Sequence, residues 1–152
     1  MDATDLILNE LVTSGVVKAS DLRGLSENEI AAIEKIHGRS LPAAYRAFLA
    51  RAGRGAGVFL AGTDLFVPSL HELRHWTLEL FRECDINFPL SPTHFVFGMH
   101  QGYEALFFDS STGDDPPVYQ FVEGQGPPRV VWPSFTAYLR EVAAQHRAFY
   151  RR

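Results

Sequence analysis

The stretch from Leu25 to Gly38 constrains the fold most, because it fixes where one helix begins and where it ends. Ser26 is followed three residues later by Glu29, the spacing of a capping box in which each side chain binds an unpaired amide of the first turn. Leu25 and Ile30 occupy the positions of a hydrophobic staple over that cap. Isoleucines then recur at helical spacing, at Ile30, Ile33 and Ile36. Gly38 can adopt the left-handed conformation that ends a helix, so a short helix is predicted here.

A second helix is predicted directly after the first, with a sharp joint between them. Pro42 favours a helix start, because its fixed φ and its missing N–H suit the first turn. One apolar stripe follows, formed by Leu41, Tyr45, Phe48 and Leu49. The glycine-rich run that starts at Gly53 then ends the helix.

The second half of the chain predicts consecutive antiparallel strands. Four short runs are rich in β-branched or aromatic residues and are bounded by Gly, Pro or Asp, namely 93–98, 103–109, 118–122 and 129–132. A last helix opens at Ser134 and carries Phe135, Tyr138, Leu139 and Val142 on one face. We therefore expect an α+β domain. In it, an antiparallel β-meander of four or more strands has helices packed on one face, and the last helix crosses back over it.

This order of elements resembles the SUKH superfamily, which contains the fungal Smi/Knr-type regulators of cell-wall synthesis and many bacterial immunity proteins of toxin systems. The resemblance rests on the Ser-x-x-Glu helix, Leu-Pro-x-x-Tyr-x-x-Phe-Leu at 41–49, Phe-Gly at 97–98, Phe-Asp at 108–109, Pro-Val-Tyr at 117–119 and Ser-Phe-x-x-Tyr-Leu at 134–139. It covers about residues 25–142. Residues 1–24 lie outside it and are expected to form an extra helix, Thr4 to Ser14, and a linker. The whole chain, 1–152, is expected to be a single SUKH-like domain.

The resemblance implies a non-enzymatic binding protein with no cofactor. Its first implication is an immunity protein that neutralises a cognate toxin by direct binding. The alternative is a regulatory scaffold of the Smi/Knr type without a toxin partner. A basic, nuclease-like domain encoded beside this gene would favour the first over the second.

Composition agrees with a compact domain in the cytoplasm. A chain of 152 residues with 46% hydrophobic content can bury about 70% of its unfolded surface. No stretch approaches the ~18 apolar residues that a membrane span needs, and the acidic start is not the pattern of a signal peptide. The lone Cys84 cannot form an internal disulfide, which fits a reducing compartment.

The charges are distributed unevenly along the chain. Residues 83–128 contain seven acidic residues and no lysine or arginine, whereas residues 129–152 contain five arginines and one glutamate. A solvated sheet face that keeps edge strands apart would explain this pattern. An acidic surface that attracts a basic partner and repels nucleic acid would explain it equally. Because toxins that cleave nucleic acids must themselves be basic, the second explanation fits an antidote to one.

The partner surface is predicted on this acidic half. Three aspartates cluster around one polar turn, where Gly113 and two prolines hold the backbone out toward solvent. A glutamate and a tyrosine lie on the strands that enter and leave this region, and a tyrosine beside carboxylates is a good interface anchor. The predicted partner-binding residues are Glu104, Asp109, Asp114, Asp115 and Tyr119.

One motif favours a different function, that of a small zinc metallopeptidase. The segment from His71 to His75 reads H-E-x-x-H, so on a helix both imidazoles could hold Zn²⁺ and Glu72 could act as general base. Against this, Ser69 and Glu72 form a possible capping box, which gives Glu72 a structural task. The apolar face of the same helix is expected to pack in the core through Leu70, Leu73, Trp76, Leu80 and Phe81. We therefore expect no metal and no catalytic residue.

Overall fold

The computed structural model describes residues 2–150. Its elements in chain order are α1 (Ala3–Thr13), β1 (Leu22–Arg23), α2 (Glu27–His37), α3 (Ala43–Ala52), β2 (Gly55–Ala56), β3 (Thr63–Asp64), α4 (Leu73–Glu83), β4 (His94–His100), β5 (Glu104–Asp109), β6 (Val118–Val122), β7 (Arg129–Trp132) and α5 (Phe135–Tyr150). Short 3₁₀ turns lie at Ala19–Asp21 and Ser69–Glu72. No helix in this range is both long enough and apolar enough to cross a membrane.

The predicted helix pair is confirmed as α2 and α3. Ser26 Oγ accepts a hydrogen bond from the Glu29 amide at 3.2 Å, and Glu29 Oε1 accepts one from the Ser26 amide at 3.0 Å. Gly38 ends α2 with φ of 88°. Pro42 precedes the first residue of α3 as its N-cap, and Gly53 ends that helix.

One residue of the predicted α2 stripe is outside the core. Ile30 and Ile33 are buried, but the side chain of Ile36 is 79% exposed. Each step of three residues falls about 60° short of a full helical turn, so Ile36 has rotated by about 120° from Ile30. The helical spacing of the three isoleucines therefore predicts the helix, but it does not place all three on the buried face.

The four predicted strands are confirmed as β4 to β7. They form an antiparallel sheet with the order β3-β4-β5-β6-β7, in which β3 pairs only with Met99 and His100. A separate two-stranded sheet joins β1 to β2. The sequence did not predict β1, β2 or β3, because two residues are too few to show a period.

Helices cover both faces of the sheet. On one face, Tyr45 of α3 and Phe135 of α5 contact the ring of Phe108, with centroids 5.2 and 6.2 Å away. On the other face, Phe81 of α4 lies 5.0 Å from Phe121. The predicted layer of helices on the meander is thus formed by α3 and α5. Helix α4 adds a second layer that the sequence pattern did not predict.

The extra N-terminal helix is also present. It packs on α3 and α5, and Ile7, Leu8 and Leu11 are buried in the same core as the sheet residues. Thr4 Oγ1 donates a hydrogen bond to the carbonyl of Ala44 at 3.0 Å. Residues 7–17 therefore contribute to the packed core, although they lie outside the resemblance.

We expect Phe48→Ala to lower the free energy of unfolding by about 3–5 kcal/mol, because it removes a fully buried ring. Phe48 is 0% exposed and lies 6.0 Å from Phe135 and 6.2 Å from Phe66, centroid to centroid. Chemical denaturation measures the change. A loss below about 1 kcal/mol would show that the ring is not part of the core.

We expect Tyr45→Phe to leave stability unchanged or to raise it by up to about 1 kcal/mol. The Tyr45 hydroxyl is buried and has no hydrogen-bond partner among the described residues, and burial strongly raises its pKa. Removing an unpartnered buried hydroxyl keeps the ring contacts and abolishes a desolvation cost. A loss of more than about 1 kcal/mol would mean that the hydroxyl has a partner such as a buried water.

Candidate functional site

The H-E-x-x-H segment does not form one continuous α-helix. Ser69–Glu72 is a 3₁₀ turn, and α4 begins at Leu73. The predicted capping box between Ser69 and Glu72 is wrong, because no side-chain cap occurs at Pro68, which precedes the turn, or at Glu72. The chain already turns before Ser69, since the Leu70 amide binds the carbonyl of Phe66 at 3.0 Å.

The two histidines of this motif have different surroundings. His71 borders two grooves on the surface, whereas His75 Nε2 lies 3.2 Å from the carboxylate of Glu79. Within residues 2–150, no group of three or more His, Cys, Asp or Glu side chains is arranged to hold a metal ion. Most of the predicted apolar face of α4 is buried, but Trp76 is 37% exposed and is not a core residue. The motif therefore lacks the geometry of a zinc peptidase.

Asp109 and Tyr119 lie on the same face of the sheet as α4. The Tyr119 ring stacks on Phe107 with centroids 4.9 Å apart and an interplanar angle of 2°, and the His94 ring lies 5.8 Å away. His94 is paired with Asp109 across β4 and β5. Because Tyr119 is only half-buried, its ring presents one apolar surface beside a carboxylate.

Asp109 is held in its ionised form. Its Oδ1 accepts hydrogen bonds from the Ser111 amide at 2.9 Å and the Ser111 hydroxyl at 2.6 Å. Burial alone would raise the pKa of Asp109. The opposite effect comes from the two Ser111 hydrogen bonds, from a hydrogen bond with Thr93 and from the nearby His94. Together they lower the pKa of Asp109 below its usual value. The pKa of His94 is lowered, chiefly by burial. A negative charge and a neutral imidazole therefore lie side by side at neutral pH.

Asp114 and Asp115 differ in what their side chains do. The backbone carbonyl of Asp114 accepts a hydrogen bond from the Ala44 amide at 2.9 Å, which ties the turn to α3, and its side chain is exposed. Asp115 Oδ1 accepts from the Thr136 amide at 3.0 Å, and Asp115 Oδ2 accepts from the Thr136 hydroxyl at 2.5 Å. Asp115 thus caps the N-terminus of α5, where an anion is favoured.

Glu104 lies apart from the other predicted residues. It stands at the opposite end of β5 from Asp109, and alternation along the strand directs it to the other face of the sheet. There it accepts a hydrogen bond from Gln120 Nε2 at 3.2 Å. It lines a groove of about 360 Å³ between the sheet and α5, together with His100, Trp132, Tyr138, Glu141 and His146. The structure therefore places Asp109 and Tyr119 on one face of the sheet, each next to His94, and separates Glu104 from them.

Cys84 shows no sign of nucleophilic activation. It is half-buried at the end of α4, beside the apolar core. Desolvation together with the carboxylates of Glu123 and Glu83 raises the pKa of its thiol. A thiol with a raised pKa is protonated at neutral pH and is a poor nucleophile.

Sequence reasoning did not single out three residues that lie around the predicted surface, namely Arg74, His37 and Ser110. Arg74 donates from Nη1 to the His94 carbonyl at 2.8 Å and from Nη2 to the Leu90 and Ser91 carbonyls at 3.0 and 3.2 Å. His37 Nε2 lies 2.8 Å from Ser110 Oγ, which itself donates to the Thr93 carbonyl. Because these partners are distant in sequence, no local spacing could have revealed them.

We expect the purified chain to carry far less than one zinc ion, measured by elemental analysis. Glu72→Gln should change the free energy of unfolding by no more than about 0.5 kcal/mol, because Glu72 is exposed and caps nothing. Glu83→Gln, the same change at an exposed position at the end of α4 and outside the motif, serves as the matched control. Stoichiometric zinc, or a peptidase activity that Glu72→Gln abolishes, would contradict the binding-protein interpretation.

Comparison with known proteins identifies the family. A search of curated proteins finds no match to the chain. The model of the SMI1 / KNR4 family (SUKH-1) matches residues 24–141, which contain the helix pair, the whole five-stranded sheet and the first part of α5. Membership supports an immunity protein or a Smi/Knr-type scaffold in general, and members of the family are generally not enzymes. The chain belongs to the SMI1 / KNR4 family (SUKH-1).

Proposed function

We propose that this chain is an immunity protein that neutralises a basic, nuclease-type toxin by binding it directly. It acts in the cytoplasm and without catalysis. The observation that carries the proposal is a surface where an ionised aspartate adjoins a half-exposed aromatic ring. We name it the acidic turn surface and define it by Asp109, Tyr119 and Val130 on this face of the sheet, together with the exposed Asp114 in the turn between β5 and β6.

The acidic turn surface combines an apolar contact area with uncompensated negative charge. Val130 pairs with Tyr119 across β6 and β7, and its side chain is 51% exposed. Asp109 and Asp114 make no ion pair with lysine or arginine among residues 2–150. Apolar anchors beside free charges are typical of interfaces in which the charges steer the encounter and the anchors hold the complex.

The other two predicted partner residues have different places in this proposal. Asp115 adds negative charge to the turn, but its carboxylate is engaged by Thr136. Glu104 lies on the opposite face, so a partner docked on Asp109 and Tyr119 does not contact it directly. We therefore place the centre of the interface on Asp109, Asp114 and Tyr119.

Capture of the partner followed by a rescue assay tests the function. The tagged chain is used to isolate partners from a native cell extract, and mass spectrometry identifies them. We expect a basic protein whose expression alone arrests growth, with growth restored when the chain is co-expressed. A specific partner that is harmless when expressed alone would contradict immunity and would favour the regulatory scaffold.

We expect Asp114→Lys to slow association with that partner and to flatten the salt dependence of its rate, because exposed charges act mainly on encounter. Asp64→Lys is the matched control, since Asp64 is an exposed aspartate on β3, at the far edge of the sheet. Tyr119→Ala should instead speed dissociation, whereas Tyr119→Phe keeps the ring. Stopped-flow mixing at low and high salt measures both rates.

Stability controls keep this test interpretable. Asp114→Lys should change the free energy of unfolding by less than about 0.5 kcal/mol, because only its backbone makes a contact. Asp115→Ala should cost about 1 kcal/mol as a lost helix cap and is therefore a poor probe of binding. If Asp114→Lys leaves both the affinity and the salt response unchanged, the interface lies elsewhere.

A further inference from the structure

A second groove runs along the part of β4 that β3 does not cover. Because β3 pairs only with Met99 and His100, the first half of β4 forms an open edge of the sheet. The groove has a volume of about 380 Å³, and we name it the basic groove. Its lining residues are Ile33, Ile36, His37, Leu70, His71, Arg74, Pro92, His94, Phe95 and Val96.

Arg74 places a positive charge in the basic groove without a counter-ion. All of its hydrogen bonds go to backbone carbonyls, and it forms no ion pair among residues 2–150. Burial lowers the pKa of Arg74. Burial also lowers the pKa of His37, and the positive charges of Arg74 and Arg39 lower it further. His37 therefore experiences a positive potential from these two guanidinium groups.

No carboxylate lines the basic groove. Two of the three acidic residues on α2 are engaged elsewhere. Glu34 accepts a hydrogen bond from the Leu41 amide at 2.7 Å and pairs with Arg46. Glu29 pairs with Arg54. The charge of Arg74 thus has no carboxylate within the lining, and Asp109 lies outside the lining, paired with His94 on the neighbouring strand.

The remaining lining of the basic groove is apolar. Leu70 and Val96 are buried, while Ile36 is 79% exposed at the rim. An exposed isoleucine beside buried aliphatic side chains and an aromatic ring provides a contact area for an apolar side chain. Apolar contact and positive charge together specify a ligand that carries both an apolar group and an acidic group.

We propose that the basic groove binds an extended, acidic protein segment, with an apolar side chain against Ile36 and Leu70 and a carboxylate beside Arg74. Charge complementarity identifies the occupant, because the groove is positive and the chain supplies no carboxylate to it. This site adjoins the acidic turn surface at His94, but it selects for the opposite charge and is tested with a different probe. The two can therefore succeed or fail independently.

The test uses the full chain and a short blocked probe peptide of alternating leucine and aspartate residues. Matched peptides carry asparagine or lysine in place of aspartate. We expect the aspartate peptide to bind, with amide shifts in two-dimensional NMR confined to α2, the start of α4 and the first half of β4. The asparagine peptide should bind at least about five-fold more weakly, as expected for one or two partly exposed charge pairs.

Matched variants assign the binding to the basic groove. Arg39→Glu should weaken binding of the aspartate peptide by about five-fold. Arg129→Glu on β7 makes the same charge change far from the groove and should leave that binding unchanged. Ile36→Ala should weaken binding of the same peptide by about three-fold. Leu78→Ala changes another exposed apolar residue and should leave the binding unchanged. Arg74 is left unchanged, because its hydrogen bonds hold the segment before β4. Thermal unfolding checks that each variant is folded.

Several results would overturn the proposal. These are no binding of the aspartate peptide, equal binding of the asparagine peptide, or binding that neither Arg39→Glu nor Ile36→Ala affects. A single-stranded oligonucleotide that displaces the peptide and depends on Arg39 but not on Ile36 would assign the groove to nucleic acid instead.

Discussion

The ring of Tyr45 holds the domain together, because it joins three parts of the chain that are distant in sequence. Its centroid lies 5.4 Å from Phe95 of β4, 5.2 Å from Phe108 of β5 and 5.3 Å from Phe135 of α5. The ring is fully buried, and edge-to-face pairs of this kind add to the hydrophobic stabilisation. Since α3 is fixed on the sheet in this way, both candidate surfaces depend on it. The start of α3 anchors the acidic turn through Ala44, and α2, joined to α3 by a short connection, borders the basic groove.

The two surfaces meet at His94, which separates charges that would otherwise neutralise one another. Asp109 raises the pKa of His94 and Arg74 lowers it, so the imidazole is close enough to both to experience their fields. No ion pair joins Asp109 to Arg74 in the described chain. Because burial keeps His94 neutral near pH 7, it acts as an uncharged spacer. The domain can therefore present an acidic surface and a basic groove within a few side chains of each other.

Features set by local chemistry were predictable from the sequence, and features set by distant partners were not. The Ser26–Glu29 box and Gly38 were found because capping depends on neighbouring residues. The strands β4 to β7 were found because each is long enough to show its composition. By contrast, Asp115 was predicted to contact a partner, and nothing near it in sequence indicates that Thr136 uses its carboxylate. Glu104 was grouped with Asp109 by proximity in sequence, but the pleat of β5 and its length place the two apart.

A motif defined by spacing assumes a conformation, and the H-E-x-x-H segment shows what happens when the assumption fails. Zinc binding by this motif requires an α-helix, in which residues four apart share a face. Here the chain turns at Phe66 and Pro68 and continues as a 3₁₀ turn, so α-helical geometry begins only at Leu73. His71 is thereby directed to the basic groove and His75 to Glu79. The same histidine that suggested a metal site by its spacing contributes, by its position, to the lining of the basic groove.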